Sequence, residues 1–325
     1  MLKIRRLSCF DYKKLKKLIS YLCTDDSDKL TKTLIEEPLG LFNAIMPLRF
    51  KFKSESFILT KDKEILGLIT AICTYGNPYK INITRLIFKE NDYNTGKQLV
   101  EFIIQKFGAK GAQSFIVNID ESHDELFDLF INGCGFRQCG FETLWKSENI
   151  KYTSTNYKYR HAQNSDSKDI TIMYNAELNN IYKPALTRCP LEFREPLFCG
   201  FNKFYKSRFI SENEQNIQSY FSITTYDNLN YILDITTNSG YDSNYDGIIN
   251  SAANYISSKR KDFYLFIKQK NYIKESDQLE NYLKTAKFTP IQTKHILIKD
   301  FYKPIIEENT EWKIFALYEG ANIAR

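Results

Sequence analysis

The chain carries one pattern of elements twice. Residues 80 to 146 read as strand, glycine-bearing loop, helix, strand, helix, glycine-phenylalanine pair and strand, and the same order returns over residues 230 to 299. The first copy runs from Ile81 to Phe88, through Asn91 to Gln98, an apolar-periodic helix, Ser114 to Ile119, and Gly135-Phe136 into Glu142 to Lys146. The second runs from Tyr231 to Ile235, through Tyr245-Asp246-Gly247, a helix, Phe263 to Ile267, and Lys287-Phe288 into His295 to Lys299. Nearly equal spacing in both copies predicts two related domains. With 325 residues, 43% of them hydrophobic, the chain has enough apolar material for two ordinary cores.

Flanking segments extend the pattern. Leu2 to Leu7 alternates as a strand, and Asp11 begins a helix with Leu15, Leu18, Ile19 and Leu22 on one face. A second helical region is expected up to about Met46. Phe57 to Thr60 and Ile65 to Ile72 flank the charged turn Lys61 to Glu64 as a hairpin. In the first copy Leu99, Phe102, Ile103 and Phe107 mark a helix that stops at Gly108 and Gly111, and Leu126, Phe127, Leu129 and Phe130 mark the next, from about His123. Polar sequence over 150–168 reads as a linker. The expected units are therefore 1–149, the linker 150–168, a second domain over 169–302 and a tail over 303–325. That second domain is expected to open with Ile170 to Met173 and a helix near Glu177 to Leu186, echoing the strand and helix that open the first, and the tail's apolar piece Trp312 to Leu317 to add an edge strand or dock nearby.

Composition excludes more than it assigns. A net charge of +6, from 45 basic against 39 acidic residues, suits an anionic ligand but is no nucleic-acid signature, so no nucleic-acid partner is expected. The seven cysteines include no CxxC pair, which favours free thiols in a reducing compartment over a disulfide frame or zinc site. Met1 to Leu7 holds too short an apolar part for a signal peptide, and no run approaches the ~20 apolar residues that span a bilayer. A cytoplasmic protein without a membrane partner is expected. Asp242 to Gly247 reproduces the opening of a calcium loop, but Ala253 stands where the closing bidentate carboxylate belongs. No metal is expected there, and turn chemistry accounts for the residues.

The loop around Gly96 after a central strand, and Gly135-Phe136 before a last one, resemble the Gcn5-related N-acetyltransferase (GNAT) superfamily, in tandem. The resemblance implies an α+β fold, with two acyl-CoA N-acyltransferase-like domains, each a mixed, mainly antiparallel sheet flanked by helices. It implies a central strand that splays from its neighbour and pairs with the pantetheine arm of acetyl-CoA. A loop of pattern Gln/Arg-x-x-Gly-x-Gly/Ala then wraps the diphosphate at a helix N-terminus, where amides and helix dipole favour an anion. The three motif positions are Tyr93, Gly96 and Gln98 in the first copy, and Asn244, Gly247 and Ile249 in the second. By resemblance, the cofactor-binding residues are Leu86, Ile87 and Phe88 on the strand, Tyr93, Asn94, Thr95, Gly96, Lys97 and Gln98 in the loop, and Asn118 on the next strand. The family's general-acid tyrosine aligns with Ile131 and Leu283, with Tyr282 adjacent to the latter. Glu90 and Glu121 are the candidates for the base that takes a proton from the amine.

The implied activity is transfer of an acetyl group from acetyl-CoA to a primary amine on a small molecule or peptide, with the cofactor in the first copy. The other reading is a non-catalytic module, in which two degenerate copies bind an acyl-CoA or a protein.

Overall fold

A computed structural model describes residues 2–22, 54–62, 64–74, 77–89, 92–147, 156–195, 205–213, 216–225 and 227–301. In the first half, β1 (Leu2–Arg6) leads through a short 3-10 turn into α1 (Tyr12–Leu22), followed by β2 (Glu55–Lys61), β3 (Glu64–Thr74) and β4 (Asn77–Phe88). Next come α2 (Tyr93–Gly108), β5 (Ser114–Asp120), α3 (Asp124–Asp128), which runs on as a π-helical turn (Leu129–Gly133), and β6 (Arg137–Ser147). The second half repeats the order: β7 (Arg160–His161), α4 (Ser167–Glu177), α5 (Lys183–Leu186), β8 (Tyr205–Asn213), β9 (Asn216–Thr225), β10 (Asn230–Thr237), α6 (Tyr245–Ser257), β11 (Tyr264–Lys270), α7 (Ser276–Thr285) and β12 (Phe288–Asp300).

Alternation along the strands divides their side chains between two faces. Phe57, Leu59, Ile69, Ala71, Ile81 and Ile83 pack on Leu99, Val100 and Ile103 of α2. The intervening Ile58 and Leu68 pack on Leu15, Leu18 and Ile19 of α1. In the second half Phe209, Phe221, Leu233 and Leu265 meet α6 and α7, whereas Ile210 and Tyr220 meet Ile170, Met173 and Tyr174 of α4. β12 relates the faces, because Leu297 joins the α2 core while Ile296 and Ile298 join the α4 core. Thus α1 and α4 share one face of the sheet.

All twelve strands of the described residues form one sheet, in the order β1-β2-β3-β4-β5-β12-β6-β11-β10-β9-β8-β7. Its centre is an exchange. β12, from the end of the second half, lies antiparallel between β5 and β6 of the first, and β6 in turn lies between β12 and β11. Each half is completed by the other's last strand. The turns before these two strands match as well, since Gly135 has φ +69° and Lys287, at the equivalent place, has φ +60°.

Several expectations are corrected. Ile170 to Met173 is not a strand but the middle of α4; the second half opens instead with β7, inside the segment read as linker. The helix expected over Glu177 to Leu186 is interrupted, because Leu178 is extended and bridges Ile273, and the Asn179 amide donates to the Tyr272 carbonyl at 3.0 Å. The β8–β9 hairpin had no sequence-based expectation. The helical region near Met46, Glu90 and the tail piece Trp312 to Leu317 lie outside the described residues. No helix among the described residues is long and apolar enough to cross a membrane.

Candidate active site

The first half contains the expected splay. β4 and β5 pair in parallel only from Lys80–Ser114 to Ile83–Val117. On its other edge β4 carries a bulge at Thr84, because Arg85 pairs with Thr70 but Ile83 pairs with Ala71. From Thr84 to Phe88 the edge of β4 facing β5 therefore has no ladder partner in β5, and the strands part as a wedge. Leu86 and Phe88 turn their side chains to the α2 core and Ile87 packs on the α1 core, so this stretch can offer a ligand its backbone edge. Asn118 is exposed on β5 beyond the last pair.

The α2 N-terminus is built differently from what the resemblance implies. Asp92 is its N-cap, and its carboxylate accepts the Thr95 amide at 3.2 Å and the Thr95 hydroxyl at 2.7 Å. The Gly96 amide donates to the Asp92 carbonyl at 3.3 Å. A side chain of the same charge as a diphosphate thus occupies the helix end. Gly96 is buried, and a Cβ there would meet Leu129 Cδ2 at 2.9 Å and Phe88 at 3.1 Å, so its smallness serves packing between α2 and the π turn. Tyr93, Asn94, Lys97 and Gln98 are exposed, and Lys97 Nζ lies 3.9 Å from Glu101 one turn on. Loss of solvent around the ring, and then the fields of Glu125 and Asp128, raise the Tyr93 hydroxyl. The residues present therefore fit an acyl-CoA along the wedge, while the diphosphate end meets Asp92.

Neither tyrosine position supplies an acid. Ile131 lies in the π turn against the α2 core, and Leu283 is fully buried against α6. Tyr282 donates its hydroxyl to Asp246 at 3.0 Å. Glu121 is exposed at the end of β5, its amide donating to the Thr293 carbonyl of β12 at 3.0 Å.

In the second half the equivalent wedge is filled. β10 and β11 pair from Asn230–Tyr264 to Asp234–Lys268. Beyond that point Glu275 Oε2 accepts the Thr237 hydroxyl at 2.7 Å and the Ser243 hydroxyl at 2.6 Å, and the gap between the strands keeps only about 10 Å³; the cavity of about 440 Å³ at this end lies on the β9 side of the loop, lined by Ser219, Thr237, Ser243 and Asn244. The α6 N-terminus is capped by Asn244, whose side-chain oxygen accepts the Gly247 amide at 2.8 Å. With Asn244 and Asp246 so engaged, Asp242 to Gly247 is a helix cap. Among the described residues no cluster of three or more His, Cys, Asp or Glu is placed to hold a metal.

A cleft of about 540 Å³ lies on the α1 and α4 face where the halves meet, and it reaches the apex of the first wedge. Asn82 and Thr84 of β4, Asn118 of β5, Glu142 of β6, Lys268 of β11 and Arg188 all line it. Lys268 Nζ is 3.1 Å from Glu142 Oε2, and the Tyr272 hydroxyl donates to Glu142 Oε1 at 2.5 Å. Burial would raise the Glu142 carboxyl, but the Lys268 ammonium and the Tyr272 hydroxyl outweigh it and hold it below the usual range. Asp234, 2.5 Å from Lys270 and 4.0 Å from Lys268, is likewise held well below the ordinary aspartate range, the two ammonium groups and Arg188 overcoming its burial. Sequence reading missed this cleft because its residues come from separate segments and only the exchanged strands bring them together.

Neither a protein-family model nor a curated protein sequence matches the chain. Solved structures do match, over 92–93% of it. The tandem GNAT protein from the clavulanic acid biosynthesis pathway is 8% identical, with 92% of this chain and 98% of that one covered at a TM-score of 0.55. A GCN5-related N-acetyltransferase from Sphaerobacter thermophilus is 7% identical, covering 92% and 95% at a TM-score of 0.58. A putative acetyltransferase from Pyrococcus horikoshii is 9% identical, covering 93% and 90% at a TM-score of 0.51. At such identity the likeness is one of fold. The parted central strands and the paired order of elements agree with it: this chain has the tandem GNAT fold, two acyl-CoA N-acyltransferase-like units joined by exchanged strands.

Proposed function

We propose that the protein transfers an acetyl group from acetyl-CoA to a primary amine, with the thioester end in the wedge of the first half. The observation that carries this reading is the asymmetry between the wedges. The first opens into a cleft of about 540 Å³, whereas side chains fill the second. In this reading the backbone of Leu86, Ile87 and Phe88 pairs with the pantetheine arm, Asn118 faces the opening, and Tyr93 to Gln98 bound the diphosphate end. The second half shapes the wall where the amine arrives.

Acetyl-CoA supplies a thioester carbonyl open to attack. The amine must arrive neutral, and its nitrogen loses a proton as the N–C bond forms and the C–S bond breaks. Glu121, or Glu90, takes that proton through water. Glu142 is unsuited to the role, since Lys268 and Tyr272 already engage both of its oxygens. With Ile131 at the tyrosine position, the departing thiolate takes its proton from solvent.

Asp92 favours the second reading, a non-catalytic module, because its carboxylate stands on the amide that a diphosphate would use. Calorimetric titration with acetyl-CoA, followed by mass spectrometry of an amine panel, separates the two. Saturable binding with an N-acetylated product supports transfer. Binding without product makes the protein an acyl-CoA-binding module, and no binding leaves a partner-binding role.

A further inference from the structure

Arg188 is the unusual cation of the central cleft. Its backbone is clamped on both sides by Asn175, whose side-chain oxygen accepts the Arg188 amide at 2.9 Å and whose side-chain nitrogen donates to the Arg188 carbonyl at 2.9 Å. Its guanidinium lies over the buried Tyr174 ring, 4.4 Å from the centroid, and 5.7 Å from that of buried Phe193. A stacked guanidinium keeps its in-plane donors free.

Those donors make no hydrogen bond or ion pair among the described residues, although the other basic residues nearby are mostly engaged. Lys268 is paired with Glu142, Lys270 with Asp234, and Lys80 donates to the Thr187 carbonyl beside Arg188. Lys294 of β12 also lines the cleft, and it makes no ion pair among the described residues, although it stands opposite Asp120 and Glu142 in the sheet. Tying down an arginine by backbone clamp and ring stack while leaving its planar fork unused is the arrangement of a receptor for a planar anion. The position argues against the carrier's own phosphates, because Arg188 lies on the α4 face whereas α2 packs on the opposite one.

We propose that the acceptor is an amino acid or short peptide, whose carboxylate docks on Arg188, with Lys294 nearby, while its amine reaches the wedge at Thr84 and Asn118. The proposal rests on the transferase reading for its amine end only. A cavity of about 540 Å³ is in the range that holds a small-molecule ligand.

The test uses the full chain with acetyl-CoA and an equimolar panel of glycine, β-alanine, γ-aminobutyrate and L-lysine beside their carboxamides and O-phosphoethanolamine, with N-acetyl products measured by mass spectrometry and acetyl-CoA affinity by calorimetry. Ligand-observed NMR follows binding of the same compounds without acetyl-CoA. The acids should exceed their amides by about 10-fold or more, from the added strength of a hydrogen-bonded charge pair. R188M should erase that preference and R188K restore part of it, while acetyl-CoA affinity stays unchanged. If R188M does not fold, the acid-to-amide ratio of the wild type decides.

Amides acetylated as well as acids would overturn the proposal and leave the transferase reading standing. Acid binding that needs Arg188 but yields no acetylated product would support the carboxylate site and sink the transferase reading. Preference for O-phosphoethanolamine over β-alanine, or loss of acetyl-CoA binding in R188M, would also overturn it.

Discussion

Glu142 of β6 and Lys268 of β11 meet 3.1 Å apart across the seam where the two halves exchange strands. The pair belongs to a longer chain of charge that continues through Asp234 to Lys270, whose side chain is only 3% exposed. Charges this deep persist because they are matched, and removing one member strands the others.

Asp234→Asn should therefore destabilise the protein by about 3 kcal/mol, since it leaves Lys270 buried without its counter-charge. The pH dependence has a definite sign. The folded carboxyl is held below its unfolded value, so its contribution is complete above the unfolded aspartate range of about 4 and is lost as pH falls toward the folded value. The difference between wild type and variant in urea denaturation should be flat from pH 5 to 8, by roughly that reasoning, and shrink in stronger acid.

Leu297→Ala tests the exchange. Leu297 is fully buried in the α2 core although it belongs to the second half's last strand. Truncation should cost about 2–5 kcal/mol. Hydrogen exchange should accelerate in both halves together, and a change confined to the second half would contradict the exchanged arrangement.

Lys287→Gly should stabilise the protein, by up to about 1 kcal/mol, because an exposed lysine holds φ +60° where the first copy uses glycine. A thermal melt reads this directly. An unchanged or lower melting temperature would mean that the turn does not strain the lysine.

Gly96→Ala should lower the stability of the ligand-free protein by about 1–3 kcal/mol, because the new Cβ meets Leu129 and Phe88 inside the core. Leu129→Ala in the same chain should make the two effects less than additive. A neutral effect on the free protein would return Gly96 to the role of a phosphate-loop glycine.

Asp92→Asn keeps the helix cap and removes its charge. If acetyl-CoA lies with its diphosphate at α2, calorimetry should show roughly fivefold tighter binding in this variant, the value of removing a like charge at a helix end. No change would place the diphosphate elsewhere.

Much of the fold was legible because local periodicity writes it. The helix from Tyr93 to Gly108, the strand around Phe115 and the turn before Phe136 all follow from apolar spacing and glycine positions. The exchange was not, because β6 and β12 have the alternation of any central strand and nothing in that pattern names a partner. Ile170 to Met173 looked like a strand because its β-branched residues fit one, yet packing of Ile170, Met173 and Tyr174 against the sheet made it a helix. The site divided in the same way. The wedge beyond Ile83 was implied by the family resemblance, while the Asp92 cap, written in the chain as Asp-x-x-Thr, has no counterpart in that resemblance. Arg188 had no local mark, since a clamp from Asn175 and a ring from Tyr174 exist only in the folded chain.

Threading β12 between β5 and β6 also bears on synthesis at the ribosome. When Ser147 emerges, every strand native to the first half exists, but the gap beside Ser114 to Asp120 can be closed only by the second half's final strand, which ends at Asp300. The first half must wait through translation of the second with two sticky strand margins facing each other. Nascent chains stalled before Phe288 should therefore be the species that a chaperone captures.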